Sequence, residues 1–143
     1  MRRFRFRFEA VLKQRAALLD AARGELAEIM GRHTLSERLL GERRAQLDAM
    51  LTREETGVID AGHEMLRQRH IYTVREEVRR REYQLGQLEE HLEAARQAVT
   101  EAHRELRAIE ILEERDRETW VEEVKREEQK SNDDLNSARS GRS

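Results

Sequence analysis

Apolar residues recur every seven positions between Ile71 and Ile109, in two series that are offset by three residues. The first series is Ile71, Val78, Leu85, Leu92, Val99 and Leu106, and the second is Val74, Arg81, Leu88, Ala95, Ala102 and Ile109. Eleven of these twelve positions are apolar, and the residues between them are mostly Glu, Arg, Gln and His. This pattern is typical of a helix that packs along another helix through one narrow stripe. Because such a helix is stable only when its stripe is buried, the stretch predicts a partner helix.

A second seven-residue repeat supplies a partner within the same chain. Its members are Leu12, Leu19, Leu26, His33, Leu40 and Leu47. Thr34 and Glu37 resemble a capping box just after Gly31, which leaves a helix break possible there. The repeat continues in phase through this point, which favours a continuous helix. Leu35 and Leu39 lie beside the stripe and either widen the buried face or form an exposed docking patch.

The best break in the chain is Thr56–Asp60, because Gly57 suits the position after a helix and Asp60 can cap the next one. A short connection makes the two helices antiparallel neighbours. The predicted fold class is therefore all-α, a long antiparallel two-helix coiled-coil hairpin that forms a single domain. We expect helix 1 at about 5–56, the turn at 57–60, helix 2 at about 61–136 and a disordered tail at 137–143.

The predicted register places residue i opposite about residue 117 − i, if the turn is centred between residues 58 and 59. The start of helix 1, at residue 5, then lies opposite Leu112, where the apolar repeat of helix 2 also stops. Residues 113–136 become a single overhanging helix that carries Trp120, the only Trp of the chain. An exposed Trp on such a helix is typical of an interface anchor. The alternative is that Trp120 packs against the tail or against the end of the hairpin.

The composition favours a thin helical structure, because 41% of the residues are charged and few charged side chains can be buried. The chain has no Cys, which excludes disulfides and Cys-based metal sites. It has no apolar run of membrane-spanning length and no secretory signal, so we expect a cytoplasmic protein. Residues 1–15 carry six Arg/Lys and one Glu, whereas residues 110–134 carry eleven Asp/Glu and five Arg/Lys. The predicted register brings these opposite charges together.

Arg and Phe alternate in residues 2–8. Alternation is typical of a strand, and a basic–aromatic mixture is typical of single-stranded nucleic-acid binding. Since no other strand is predicted, we favour a frayed helix start whose Phe6 and Phe8 dock on another helix. The overall balance of charges argues against a nucleic-acid partner.

The sequence offers no convincing catalytic or metal-binding motif. His63-Glu64 resembles part of a metalloprotease helix, but the second His at the required spacing is missing. The carboxylates lie on predicted solvated faces, and no phosphate loop or activated nucleophile is recognisable. We therefore predict a non-enzyme without cofactor, metal or small-molecule substrate.

Both ends of the chain resemble one known family. The segment Phe6-Arg-Phe8-Glu-Ala-Val-Leu12-Lys-Gln-Arg15 resembles the opening of FliJ proteins, which belong to the bacterial flagellar type III export apparatus. Ile109-Glu-Ile-Leu112-Glu-Glu-Arg115 and the later Glu127-Glu-Gln129-Lys130-Ser-Asn-Asp133-Asp134 are similar to that family's closing motif. A departure is Asp133-Asp134, where the family pattern has Asp-Glu.

The resemblance implies a monomeric hairpin that acts as a stalk like that of rotary ATPases, at the inner-membrane export apparatus. The end with both termini would insert into the hexameric export ATPase, and the hairpin side would contact the export gate and bind export chaperones. Carried over by position, the ATPase-binding candidates are Phe6, Phe8, Leu12, Arg15, Trp120, Gln129, Lys130 and Asp134. The export-gate candidates are Leu35, Leu39, His70 and Val74. The alternatives are a generic coiled-coil scaffold, the stalk of a virulence type III secretion system, and a basic-tailed nucleic-acid accessory protein.

Overall fold

The structure is a computed structural model that describes residues 2–53 and 60–142, and these residues form two long α-helices. α1 is Glu9–Thr52, with 44 residues, and α2 is Ala61–Ser140, with 80 residues. The helices pack against each other, and no β-strand occurs within the two described ranges. The predicted fold class, an all-α two-helix hairpin, is confirmed.

Contacts divide the chain into two compact units. The terminal unit comprises Met1–Ala21 and Thr100–Ser143, and the turn-side unit is Ala22–Val99. Each unit therefore contains part of α1 and part of α2, and in each unit the two helices run antiparallel.

The two seven-residue repeats form the interface between the helices. All twelve positions of the α2 repeat and all six of the α1 repeat are buried or half-buried. In the turn-side unit, Leu40, Val74 and Val78 form the central cluster, and Leu47, Met50 and Leu85 pack against it. Leu40 and Val74 are each only 2% exposed. Burying one such side chain stabilises the fold by roughly 1.5–3 kcal/mol, so these few residues hold the two helices together.

Several contacts follow the predicted register to within one helical turn, whereas the ion pair between Arg44 and Glu82 lies nine residues further along α2 than the register predicts. The register places Leu40 opposite position 77 of α2. Leu40 packs against Val74 and Val78, which lie on either side of that position. The carbonyl oxygen of Met50 accepts a 2.9 Å hydrogen bond from Arg67. In the terminal unit, Arg15 donates a 2.7 Å hydrogen bond to Glu105, about one turn from the predicted partner position. A long arginine side chain spans that difference.

α1 runs without a break through Gly31 and Thr34. The Thr34 hydroxyl does not act as a cap, because it donates a 3.0 Å hydrogen bond to the carbonyl oxygen of Met30 in the preceding turn. The helix therefore keeps its seven-residue repeat in phase, although a glycine in a helix interior costs about 1 kcal/mol relative to alanine.

The ends of the helices differ from the expected limits by a few residues. α1 begins at Glu9, where the Glu9 amide donates to the carbonyl oxygen of Phe6 over 3.2 Å. At the start of α2, the Asp60 carboxylate accepts a 3.2 Å hydrogen bond from the Gly62 amide. The rest of the predicted turn lies outside the described residues. α2 continues to Ser140, into the expected tail, since nothing before Gly141 interrupts its hydrogen bonding.

Two polar residues interrupt the apolar interface of the turn-side unit. Arg81 Nε and His33 Nε2 are buried and find no hydrogen-bond partner among the described residues. The outer guanidinium nitrogen of Arg81 donates to Glu77 over 3.4 Å, and His33 Nε2 lies 3.6 Å from a carboxylate oxygen of Glu89. A polar residue inside such an interface lowers stability and helps to fix the register of the two helices.

Replacing a buried residue of the interface with a charge should unfold the hairpin. We expect Leu92→Asp to lower the free energy of unfolding by about 3 kcal/mol or more, because it places an unpaired carboxylate in an apolar interface. Urea unfolding followed by circular dichroism measures this, with the exposed neighbour Glu93→Asp as control. Equal stability of the two variants would remove Leu92 from the core.

Removing the buried arginine should have the opposite effect. Arg81→Leu should raise the free energy of unfolding by about 1 kcal/mol, since it replaces an unsatisfied donor with an apolar side chain while Glu77 keeps its 3.1 Å ion pair with Arg43. The matched control is Arg80→Leu at the exposed neighbouring position, which should leave stability nearly unchanged. A lower urea midpoint for Arg81→Leu than for Arg80→Leu would show that Arg81 stabilises the interface.

Candidate functional site

The N-terminal strap, residues 2–8, lies along α2 in the terminal unit. Arg2 pairs with Glu127 at 3.4 Å, and Arg7 pairs with Asp116 at 3.4 Å. Between these ion pairs the Phe4 ring packs on Trp120, with 5.9 Å between the ring centroids. The strap therefore runs antiparallel to α2, its residues 2–6 have no regular secondary structure, and the Arg residues that turn away from α2 are Arg3 and Arg5.

The alternation of Arg and Phe arises because the strap packs one side on the surface of a helix, and not because it pairs with a β-strand. Phe6 is 7% exposed, Phe4 is half-buried, and Arg3 and Arg5 are exposed. Because side chains of an extended segment point alternately to opposite sides, the strap turns its first two Phe residues toward the protein and its Arg residues outward. The prediction that Phe6 docks on another helix agrees with its burial, whereas Phe8 remains 37% exposed.

Aromatic contacts stabilise the outer part of the strap, residues 2–5, more strongly than the ion pairs of the strap do. Phe4 contacts Trp120 on one side, and the Arg117 guanidinium lies 4.9 Å from the centroid of the Phe4 ring. An aromatic pair contributes about 0.5–1.5 kcal/mol beyond its buried area, and an exposed cation–π contact about 0.5–1 kcal/mol. The ion pairs at Arg2 and Arg7 involve exposed side chains, and such pairs contribute about 0–1 kcal/mol.

The expectation that Trp120 is exposed on an unpaired helix is wrong. α2 does extend past the start of α1, as predicted, but the strap covers this extension as far as Glu127. Trp120 is half-buried beneath Phe4, so the alternative of packing at the end of the hairpin is the correct one. The exposed part of α2 begins at Lys125, and every described residue from there to Arg142 is exposed.

The ATPase-binding candidates fall into two groups within the terminal unit. One group belongs to the strap and the helix interface, and its members are Phe6, Phe8, Leu12, Arg15 and Trp120. Leu12 is half-buried, and the guanidinium of Arg15 is engaged by Glu105. The other group, Gln129, Lys130 and Asp134, lies on the exposed part of α2.

Open grooves flank the strap on α2. One has a volume of about 500 Å³ and is lined by Phe4, Arg5, Phe6, Glu9, Glu113 and Arg117. The other, about 360 Å³, is lined by Phe4, Arg5, Arg7, Asp116, Thr119, Trp120 and Glu123. Each groove is lined by two Arg and two carboxylate side chains, so their walls carry charges of both signs. Nearby on α2, the pKa of Arg107 is raised because its guanidinium donates hydrogen bonds to Glu110 and Glu114.

The export-gate candidates do not share one surface of the turn-side unit. Leu35 and Leu39 line a groove of about 440 Å³ together with Leu88, Arg81 and His91. His70 lines a separate groove of about 350 Å³ with Met50, Arg53, His63, Leu66 and Arg67. Val74 belongs to the buried cluster at the interface, so it is not available to a partner. Its assignment to the gate surface is wrong, because its position in the seven-residue repeat faces α1.

The sequence analysis missed an exposed apolar face of α2 in the turn-side unit. Met65, Tyr72 and Tyr83 are each about two-thirds exposed, and a helical repeat of 3.6 residues aligns them on one side of α2. Their spacing of seven and eleven residues was the available signal. Close to this face, the Gln68 amide donates a 2.9 Å hydrogen bond to Glu64 and lowers the pKa of that carboxyl.

Metal sites and membrane spans depend on other features of the chain. In the part of the chain that the structure describes, no group of three or more His, Cys, Asp or Glu side chains is arranged to hold a metal ion. In the same ranges, neither helix combines the length and apolar character needed to cross a membrane.

The single Trp makes the strap contact measurable. Phe4→Ala should shift the Trp120 emission to longer wavelength and increase its quenching by acrylamide, because the covering ring is lost. Helicity should stay unchanged, since Phe4 lies outside both helices. Arg3→Ala, at an exposed strap position, is the control. Identical quenching of Trp120 in the wild type and in Phe4→Ala would contradict the observed packing.

A family-level comparison covers the strap from Phe4 onward and both helices. The family described as "Flagellar FliJ protein" matches residues 4–143. The chain matches none of the curated proteins and none of the solved structures with which it was compared. Because the family match spans essentially the whole chain, the protein belongs to the FliJ family, whose members are non-catalytic components of flagellar protein export.

Proposed function

We propose that this protein is a non-enzymatic stalk that binds the hexameric flagellar export ATPase through its terminal unit. It links that ATPase to the export gate and to the export chaperones. The observation that carries the proposal is the C-terminal part of α2, where every described residue from Lys125 onward is exposed. Most helical stability comes from burying one face of a helix, so an α-helical segment whose described residues are all exposed favours packing against a partner.

The exposed part of α2 offers a partner both an apolar stripe and polar contacts. Leu135 and Ala138 are exposed apolar residues three positions apart, and the half-buried Val124 and the polar Ser131 precede them on the same face at spacings of seven and four residues. Leu135 is 60% exposed. Gln129, Lys130 and Asp134 lie on the same segment and supply hydrogen-bonding and charged groups. This combination of a small apolar stripe with polar neighbours is typical of a helix that docks into a groove.

The turn-side unit is the part that we assign to the gate and the chaperones. Leu35 and Leu39 line one groove, and His70 lines another. Leu35 is 48% exposed and therefore accessible to a partner. Arg81, which lines the same groove, lies in the helix interface and pairs with Glu77. Apolar walls with a few polar groups suit the binding of another protein's side chains. On this proposal the protein works as a monomer at the export apparatus of the inner membrane.

Binding to the export ATPase should depend on the exposed stripe of α2. We expect Leu135→Asp to weaken binding of the purified ATPase about tenfold, because a charge replaces an apolar contact at an interface centre. Isothermal titration calorimetry measures the affinity, and ATP hydrolysis with and without the protein gives a second readout. Circular dichroism should show unchanged helicity, since Leu135 contacts no core residue.

The matched control is Met65→Asp, which places the same charge at an equally exposed apolar position in the turn-side unit. This variant should bind the ATPase like the wild type. The proposal fails if the wild-type protein neither binds the ATPase nor changes its hydrolysis rate. Equal weakening by the two variants would remove the assignment of the ATPase surface to the terminal unit.

A further inference from the structure

The strap occupies the one aromatic anchor on the α2 surface that we assign to the ATPase. We propose that the strap is an intramolecular lid over Trp120, and that the ATPase binds with full affinity only when the lid opens. This inference rests on the proposed function of the terminal unit.

The surface beneath the lid is continuous with the exposed stripe of α2. Val124 lies four residues after Trp120, and Leu135 lies eleven residues after Val124. Both spacings return to nearly the same side of an α-helix. With the strap in place, the stripe begins only beyond Trp120. With the strap displaced, Trp120, Val124 and Leu135 form one stripe, so a partner that docks along it competes with Phe4 for the Trp120 ring.

The contacts of the strap suit a lid that opens without unfolding the protein. The backbone of residues 2–5 forms no hydrogen bond with any other part of the described chain. The outer part of the strap is held by the packing of Phe4 on Trp120 and Arg117 and by exposed ion pairs. Phe6, in contrast, is buried and stays with the fold. The hinge therefore lies between Phe4 and Phe6.

The strap also shows which chemistry the uncovered surface recognises. It offers an aromatic ring to Trp120 and guanidinium groups to Asp116 and Glu127. A partner that takes the place of the strap must supply an apolar or aromatic side chain with cationic groups beside it. The open grooves beside the strap give such a segment room to enter before Phe4 leaves, and their carboxylates, Glu113, Asp116 and Glu123 on α2, can pair with its cationic groups.

The test compares open, closed and wild-type lids in the full-length chain. Phe4→Ala opens the lid and should tighten binding of the purified export ATPase about threefold to tenfold, because a larger fraction of the protein is competent to bind. Arg3→Ala, which keeps the aromatic contact, should bind like the wild type. A closed lid is made in the double variant Arg2→Cys with Glu127→Cys, which replaces the 3.4 Å ion pair between the outer strap and α2. Since the chain has no other Cys, oxidation of this variant should weaken binding, and a reductant should restore it.

The outcomes separate the lid from the proposed function. If Phe4→Ala and the wild type bind equally while Leu135→Asp binds more weakly, the lid is overturned and the stalk proposal stands. If Phe4→Ala binds more weakly with unchanged helicity, the strap is part of the binding surface and the lid is also overturned. If neither the wild type nor Phe4→Ala binds the ATPase, the proposed function itself fails.

Discussion

Burial of one narrow apolar stripe between two helices of the same chain is the interaction on which this structure depends. In a chain with 41% charged residues, the apolar side chains suffice to cover one face of each helix and little more. Leu40, Val74 and Val78 are closely packed, whereas most other surfaces of both helices face solvent. Within residues 2–53 and 60–142, the apolar interface is a narrow stripe and the grooves beside it are open to solvent. The surfaces that stay exposed are where another protein can bind, and the chain belongs to a family with a role in flagellar protein export.

The terminal unit shows how one polypeptide uses two kinds of helix partner. Along the repeat, α2 is covered by α1 through regular side-chain packing. Past Glu9, the cover is an extended segment in which Phe4 and Phe6 replace a helix face. Such a cover buries less surface and forms fewer hydrogen bonds than a helix does. Its outer residues are accordingly held by contacts of modest free energy, which makes this part of the α2 surface the easiest to expose to a partner.

The fold could be predicted from the sequence because its main signal is geometric. A seven-residue apolar repeat specifies which side of a helix is buried, and even Arg81 and His33 follow the repeat into the interface. The strap could not be predicted in the same way. Its Arg–Phe alternation indicates only that alternate side chains face opposite sides, and it does not reveal whether a strand, a nucleic acid or a helix receives them. The position of Trp120 could not be predicted either, because Trp120 is covered only if the strap packs on α2. Val74 was misassigned because similarity to a family was applied to a residue that the repeat itself places in the core.

The central claim is that α1 of each chain covers the stripe of α2 in the same chain. The most direct measurement uses the absence of native Cys. Two double variants, Arg15→Cys with Glu105→Cys and Arg44→Cys with Glu82→Cys, replace ion pairs of the terminal and turn-side units. Each is treated with a short bismaleimide cross-linker at a series of protein concentrations, and the products are weighed by mass spectrometry. The account predicts one internal link per chain and the mass of a single chain at every dilution. The account would be contradicted if the cross-linked products had the mass of two chains and if dilution abolished every cross-link, including those within one chain.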